Sequence, residues 1–462
     1  MYTVTSGAIG ASPRVQHSAM LLLHISDIHF KKTEVGEPDD PNRALRNDMI
    51  GDVKKMRAEI GRPADGILLS GDIAYAGKAE EYDFAYAWLE SELCPAAGCP
   101  IENVFVIPGN HDVDRTAEAG PVQVMARANL RKIVARKLND EIRKWMRDRA
   151  SANVIFGPIE NYNRFAAKFL CALRPYLADL KTPQQGGEEP PATPFARRDL
   201  KLNEGSILRL WGFNSVLVSD VHDDENLMLV DPAASQIERE DGVAHLVMCH
   251  HPFEWIRNKR TFEDRLNAVA AIQLFGHEHT RRIDEARRYI RIRAGALQPD
   301  RDDEEWKPGY NWIDVSIVRS EGKRYLVVKT WVRMHEVAQF IAVPDLDGNE
   351  VWENCFVLPE WTGAAAIPVD GKKEDAAVQV LESPMTRAST PVTVRSVTIK
   401  FFKLKEHEQR RVIAQMKLDK PGDRDLKDYE FVINVVRRSR DEGRLQELDA
   451  LLDATLAGAG RS

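Results

Sequence analysis

Short apolar runs that each end in a polar cluster recur along this chain. Leu21-Leu22-Leu23-His24-Ile25 leads into Ser26-Asp27-Ile28-His29, and Ile67-Leu68-Leu69-Ser70 leads into Gly71-Asp72. Val104-Phe105-Val106-Ile107 leads into Pro108-Gly109-Asn110-His111-Asp112. His245-Leu246-Val247-Met248-Cys249 leads into His250-His251-Pro252, and Ile272-Gln273-Leu274-Phe275 into Gly276-His277-Glu278-His279. Runs of about four to six residues rich in Ile, Val and Leu are too short for buried helices and predict buried strands. Helix-like stretches over 43–60 and 79–93 separate the first three runs, which predicts an α/β sheet with covered faces. Further strands are expected at Ile207–Phe213, 289–293, 312–318 and 325–332. Polar clusters just past the carboxyl ends of strands lie where open α/β sheets bind ligands.

Three other segments have a different texture. Over 121–150, Arg127, Arg131, Lys132, Arg136, Lys137, Arg143 and Lys144 interleave with Leu130, Leu138, Ile142 and Met146, the pattern of one long amphipathic helix with a basic face. Residues 181–200 are rich in Pro, Gly and Glu and read as an exposed loop. A stretch rich in Ala, Pro, Thr and Gly reads as a linker, beyond which 401–418, 429–440 and 444–456 have helical spacing. The expected organisation is therefore an N-terminal extension (1–19), a principal domain (20–355, with 121–200 as a helical insertion and loop), a linker (356–395) and a small helical module (396–462).

Composition adds limits. A chain of 462 residues fits two or three units, and its 43% apolar content supports a sizeable core. A formal net charge of −7 gives no general attraction to nucleic acid or anionic membranes. No apolar run is long enough to span a membrane, and the first twenty residues lack a basic region followed by an apolar one, so a cytoplasmic location is expected. The five cysteines are odd in number and scattered, as in a chain with reduced thiols.

The polar clusters make sense together as one metal centre. Asp27 and His29 lie two apart, so on an extended stretch both side chains leave on one face. Asp72 and Asn110 follow glycines, which permit a sharp turn and close approach; His250, His277 and His279 follow two further strands. Two carboxylates, an amide oxygen and four imidazoles, with no thiolate, suit Mn, Fe, Zn, Co or Ni. Seven donors fill two four-ligand sites only if a carboxylate bridges. Two cations roughly 3.5–4 Å apart would lower the pKa of a bridging water and neutralise charge developing on a phosphoryl group. His111 stands beside them as a group able to stabilise the transition state or protonate the leaving alkoxide.

At these residues the chain resembles the calcineurin-like metallophosphoesterases. Asp27-x-His29, Gly71-Asp72, Gly109-Asn110-His111-Asp112, His250-His251-Pro252 and Gly276-His277-Glu278-His279 look like that family's motif set in its order, over about residues 20–320. The resemblance implies a four-layered α/β/β/α sandwich. It also implies Asp27, His29 and His279 on a first metal, Asn110, His250 and His277 on a second, Asp72 bridging, and His111 as the catalytic histidine with Asp112 beside it. His251 and Arg115 would then lie behind the ligands or face the substrate. The expected reaction is hydrolysis of a phosphoester, a phosphodiester in preference, through a metal-bridging hydroxide, with manganese the metal expected in vitro. The Asp-Arg-Gly element of protein Ser/Thr phosphatases does not follow Gly71-Asp72 closely. Small nucleotide diesters are the expected substrates, with DNA or RNA the alternative. The basic segment 121–150 bears on that choice: it either contacts nucleic-acid phosphates or is a solvated face paired with Asp140, Glu141 and Asp148. The C-terminal module looks similar to helical adaptors attached to effectors in bacterial conflict systems, which implies a protein partner or self-association through 396–462.

Overall fold

The computed structural model describes residues 19–38, 40–174, 194–278, 282–298, 306–361 and 392–459. The first seven strands are β1 (Met20–Ile25), β2 (Gly66–Leu69), β3 (Val104–Val106), β4 (Phe195–Lys201), β5 (Ile207–Phe213), β6 (Val243–Cys249) and β7 (Ala270–Phe275). They are followed by β8 (Arg282–Glu285), β9 (Ile290–Arg293), β10 (Gly309–Ser320), β11 (Lys323–Glu336), β12 (Gln339–Ala342) and β13 (Val351–Leu358). One sheet runs β12-β11-β10-β1-β2-β3 with β13 also on β11; the other runs β4-β5-β6-β7-β9-β8. The neighbours β1-β2-β3 and β5-β6-β7-β9 are parallel, so their carboxyl ends gather on one edge of each sheet.

Alternation along the strands sorts side chains between layers. Leu246 and Met248 of β6 face the central core with Leu21, Leu23, Ile67 and Leu69. Val247 and Cys249 face outward to Phe262 and Leu266 of the helix Lys259–Val269. On the other flank Met49, Val53 and Met56 of the helix Arg43–Ile60 cover the first sheet. The result is the expected sandwich of two sheets between helical layers. β13 reaches Leu358, three residues into the segment expected as linker, and residues 362–391 of that segment lie outside the described residues.

The expected single helix over 121–150 is three shorter ones, Pro121–Lys132, Ala135–Arg147 and Arg149–Phe156. Ile133 and Val134 are extended (ψ 132° and 140°). The Arg257 guanidinium holds the first break by donating to the carbonyls of Arg131 and Ile133, groups that a continuous helix would have paired internally. At the second break Asp148 caps the next helix, its carboxylate accepting from Ser151 N at 2.8 Å. Residues 195–201, expected within a loop, form β4, because Phe195 packs on Trp211 and the strand pairs antiparallel with β5. The helical spacing over 401–418 likewise divides into Val394–Phe402 and Glu406–Met416. With Asp428–Asp441 and Leu445–Ala459 these form a module with its own core around Val397, Phe401, Val435 and Leu448.

Candidate metal centre

The site forms where the carboxyl ends of β1, β2, β3, β6 and β7 meet. Asp27 and His29 leave β1 through left-handed backbone (φ 54° and 52°), not the extended stretch that their spacing suggests. Asp72 (φ 52°) and His277 (φ 66°) share that conformation. For non-glycine residues each such position costs on the order of 1–3 kcal/mol, and such outliers cluster at functional sites. Gly109 leaves room for Asp72, whose Oδ1 a Cβ there would strike. Gly71 (φ 102°) is open because a Cβ would stand 2.5 Å from His250 Nδ1.

The donors converge on Asp72. His29 Nε2 lies 3.2 Å and His250 Nε2 3.3 Å from the same oxygen, Asp72 Oδ2. Asn110 Oδ1 lies 3.1 Å from both His250 Nε2 and His277 Nδ1. Asp27 Oδ1 is buried with no hydrogen-bond partner among the described residues, and His277 N donates to its other oxygen at 3.3 Å. His279 lies outside the described residues. The imidazole orientations are fixed from behind, the usual arrangement around metal-ligating histidines. His29 Nδ1–H donates to the Gln298 carbonyl at 2.5 Å, and His250 Nδ1–H to the Ser70 carbonyl at 2.9 Å. Each turns its Nε2 toward Asp72. These nitrogen and oxygen donors, with a buried carboxylate oxygen unpartnered among the described residues, fit divalent metal binding.

Charge in the cluster follows from burial and proximity. Burial acts to raise the Asp72 carboxyl, but the positive charges of His250 and His111 hold it well below its ordinary range. Burial lowers His250, and Asp72 outweighs that, raising it to about 9. His111 is pulled below its ordinary value by burial, against the opposing pull of Asp72. Its backbone N–H donates to Asp72 Oδ1 at 2.8 Å, and its Nδ1–H to the Tyr75 carbonyl at 2.8 Å, leaving Nε2 as its reactive nitrogen.

Asp112 sits one residue on but serves the backbone. Its Oδ2 accepts from Gly109 N (2.9 Å) and Ile73 N (3.2 Å), and its Oδ1 from Ala74 N (2.9 Å) and the Tyr82 hydroxyl (2.8 Å). The carboxylate thus braces the two loops that carry Asp72 and Asn110, with all this capacity spent on the protein. Arg115 donates to the Asn110 carbonyl at 3.3 Å, while its Nη1 is buried without a hydrogen-bond partner among the described residues. His251 is buried behind His277, its Nδ1 2.9 Å from Ser215 Oγ. His24 and His245 are core histidines, pulled down by burial to about 3 and about 4. Sequence reasoning passed over the carbonyls of Ser70, Tyr75 and Gln298, since backbone acceptors carry no side-chain signal. It also passed over Ser215, Tyr82 and Trp255; the ring of Trp255 lies 4.1 Å from that of His277.

Several charges of the basic helices are paired within the protein. Arg127 pairs with Glu118 at 2.7 Å and with Asp220, and Arg131 with Asp220 (2.7 Å) and Asp223 (3.1 Å). Arg143 pairs with Asp140 and Lys144 with Glu141 along the helix.

The fold and donor set define a metallophosphoesterase, and the comparisons agree: residues 20–281, more than half of the chain, match the calcineurin-like phosphoesterase family. The chain belongs to that family. Residues 393–454 match a GTPase-associated adaptor domain. No curated protein matches the chain. Among solved structures it is similar to vacuolar protein sorting 29 from Cryptosporidium parvum (10% identity, 74% of this chain and 99% of that one, TM-score 0.28). It is also similar to GAP50 of Plasmodium (9% identity, 75% and 91%, TM-score 0.38). A third is a predicted phosphoesterase from Streptococcus pneumoniae (11% identity, 74% and 99%, TM-score 0.26).

Proposed function

We propose that the protein is a dinuclear metal-dependent phosphodiesterase. The observation that carries this reading is Asp72 Oδ2, placed 3.2 Å from His29 Nε2 and 3.3 Å from His250 Nε2, as a carboxylate shared between two cations would be. Asp27, His29 and Asp72, with His279, would hold one ion; Asn110, His250, His277 and Asp72 the other. When bound, the metal pair activates water and neutralises charge on the phosphoryl group. His111, fixed through Nδ1–H on Tyr75, would offer Nε2 beside the leaving oxygen as the nitrogen that takes up a proton and passes it on. Asp112 is a positioning residue, because its carboxylate is taken up in holding the Asp72 and Asn110 loops. A small diester, of nucleotide type, is the preferred substrate, since Arg127, Arg131, Arg143 and Lys144 are already paired within the protein.

The test is metal content with turnover of bis(p-nitrophenyl) phosphate in wild type and Asp72→Ala. The expected result is about two ions per chain, with occupancy and hydrolysis both lost in the variant. Full turnover by metal-free protein would falsify the reading. The adaptor match at 393–454 supports a second reading, in which this phosphoesterase is the output of an assembly and attacks DNA or RNA when a partner engages the module. Assaying cyclic nucleotides, cyclic dinucleotides, DNA and RNA with Mn²⁺ separates the two.

A further inference from the structure

His251 repeats the arrangement of the ligand histidines. In His29 and His250, Nδ1–H is tied to an oxygen and Nε2 turns toward the other donors. His251 Nδ1 likewise lies 2.9 Å from an oxygen, Ser215 Oγ, and that hydroxyl also accepts from His251 N at 3.3 Å. His251 Nε2 is buried and has no hydrogen-bond partner among the described residues. A ring nitrogen from each of His250, His251 and His277 falls within 4.8 Å of the others. The rings of His251 and His277 are 4.5 Å apart, and Trp255 closes over both at 5.8 and 4.1 Å.

A buried polar atom without a partner demands an explanation, and a ring nitrogen stranded beside ligand nitrogens has an evident one. We propose that His251 is an additional metal ligand, coordinating through Nε2 the ion held by Asn110, His250 and His277. This rests on the dinuclear reading and deepens it. With Asp72, that ion gains five protein donors where its neighbour has four, so it keeps fewer open positions. The exchange of substrate oxygens then falls chiefly to the ion held by Asp27 and His29. Ser215 becomes a positioning residue that sets the His251 tautomer, as Ser70 and Gln298 do for their histidines.

The test counts imidazole ligands in the cobalt(II)-loaded full-length chain by paramagnetic proton NMR. Each histidine bound through Nε2 contributes a strongly shifted, exchangeable Nδ1–H resonance. His277, which offers Nδ1, contributes one from Nε2–H. The expected count is five in wild type, from His29, His250, His251, His277 and His279. In His251→Ala one resonance disappears, and one of the two cobalt ions binds about ten- to a hundredfold more weakly while the other is unchanged. Ser215→Ala keeps all five with one displaced. Four resonances in wild type, with both ions bound, overturn the assignment, and this count stands even if the variant does not fold. A wild-type chain that takes up no cobalt defeats the dinuclear reading itself, and this inference with it.

Discussion

At the scale of single residues, His111 and Asp72 stand differently in the cluster. Asp72 gathers the donors, while His111 only leans on it through a backbone N–H at 2.8 Å. Removing the His111 imidazole therefore spares the donor set. His111→Ala is expected to keep its metals and lose about 10²–10⁴ in kcat. The loss should be larger for diesters with alkoxide leaving groups than for p-nitrophenyl esters, which need no proton; an equal loss on both classes argues against His111 as the acid. A buried histidine outside the site contributes to the loss of stability in acid. His24 is held near pKa 3 by burial, while in the unfolded chain it has its ordinary value near 6.5. The folded state thus binds fewer protons between those values. Stability is full above about pH 6.5 and falls below it, by up to about 1.4 kcal/mol per pH unit, down to about pH 3. His24→Asn should flatten that limb in urea titrations run at pH 6.5, 5.5 and 4.5, and an unchanged slope would count against it.

At the scale of elements, the loops after β2 and β3 are one unit because Asp112 ties them. Asp112→Ala leaves the N–H groups of Gly109, Ile73 and Ala74 unpaired in a buried place. Each costs about 1–3 kcal/mol, so the urea midpoint should drop markedly and metal affinity with it; a variant as stable as wild type would show that the brace is dispensable. Tyr82→Phe removes one of the four partners and should act in the same direction, more weakly. The strand-to-cluster pattern of β1, β2, β3, β6 and β7 was legible in sequence, because a short apolar run followed by a polar turn has few other readings. The breaks in 121–150 were not. An arginine 124 residues further along the chain pins the first break, and periodicity within a window cannot register such a partner. β4 was missed for the same reason, since its pairing with β5 outweighs the loop-like composition around it.

At the scale of the whole molecule, the C-terminal module is docked rather than tethered. Tyr429 and Ile433 pack on Ala167 and Ala172. Arg395 donates to the Phe169 carbonyl at 2.6 Å, Arg174 pairs with Glu430 at 2.7 Å, and Lys427 pairs with Glu160. The helix that receives it, Glu160–Ala167, also reaches the site loops: Asn161 donates to the Gly77 carbonyl at 2.9 Å and the Tyr162 hydroxyl to that of Val106 at 3.1 Å. A Lys427→Glu, Tyr429→Asp double variant should release the module. Small-angle scattering is expected to show a larger radius of gyration with metal content unchanged; an identical profile would mean that these contacts do not hold it. Among the described residues no helix is long and apolar enough to cross a membrane.

The sequence by itself pointed to the candidate metal centre and to the family. Its donors follow buried strands in a fixed order, and oxygen and nitrogen ligands without thiolate admit few chemistries. It also determined the sandwich, since parallel β-runs separated by helices must be covered on both faces. Only the tertiary structure decided how the donors meet: left-handed backbone at Asp27, His29, Asp72 and His277, one Asp72 oxygen between two imidazoles, and Asp112 turned to the backbone. It also decided that much of the basic face is paired inward and that the module sits against Glu160–Ala167. These depend on partners far apart in the chain, whose meeting is fixed by packing and burial and leaves no periodic trace in the sequence.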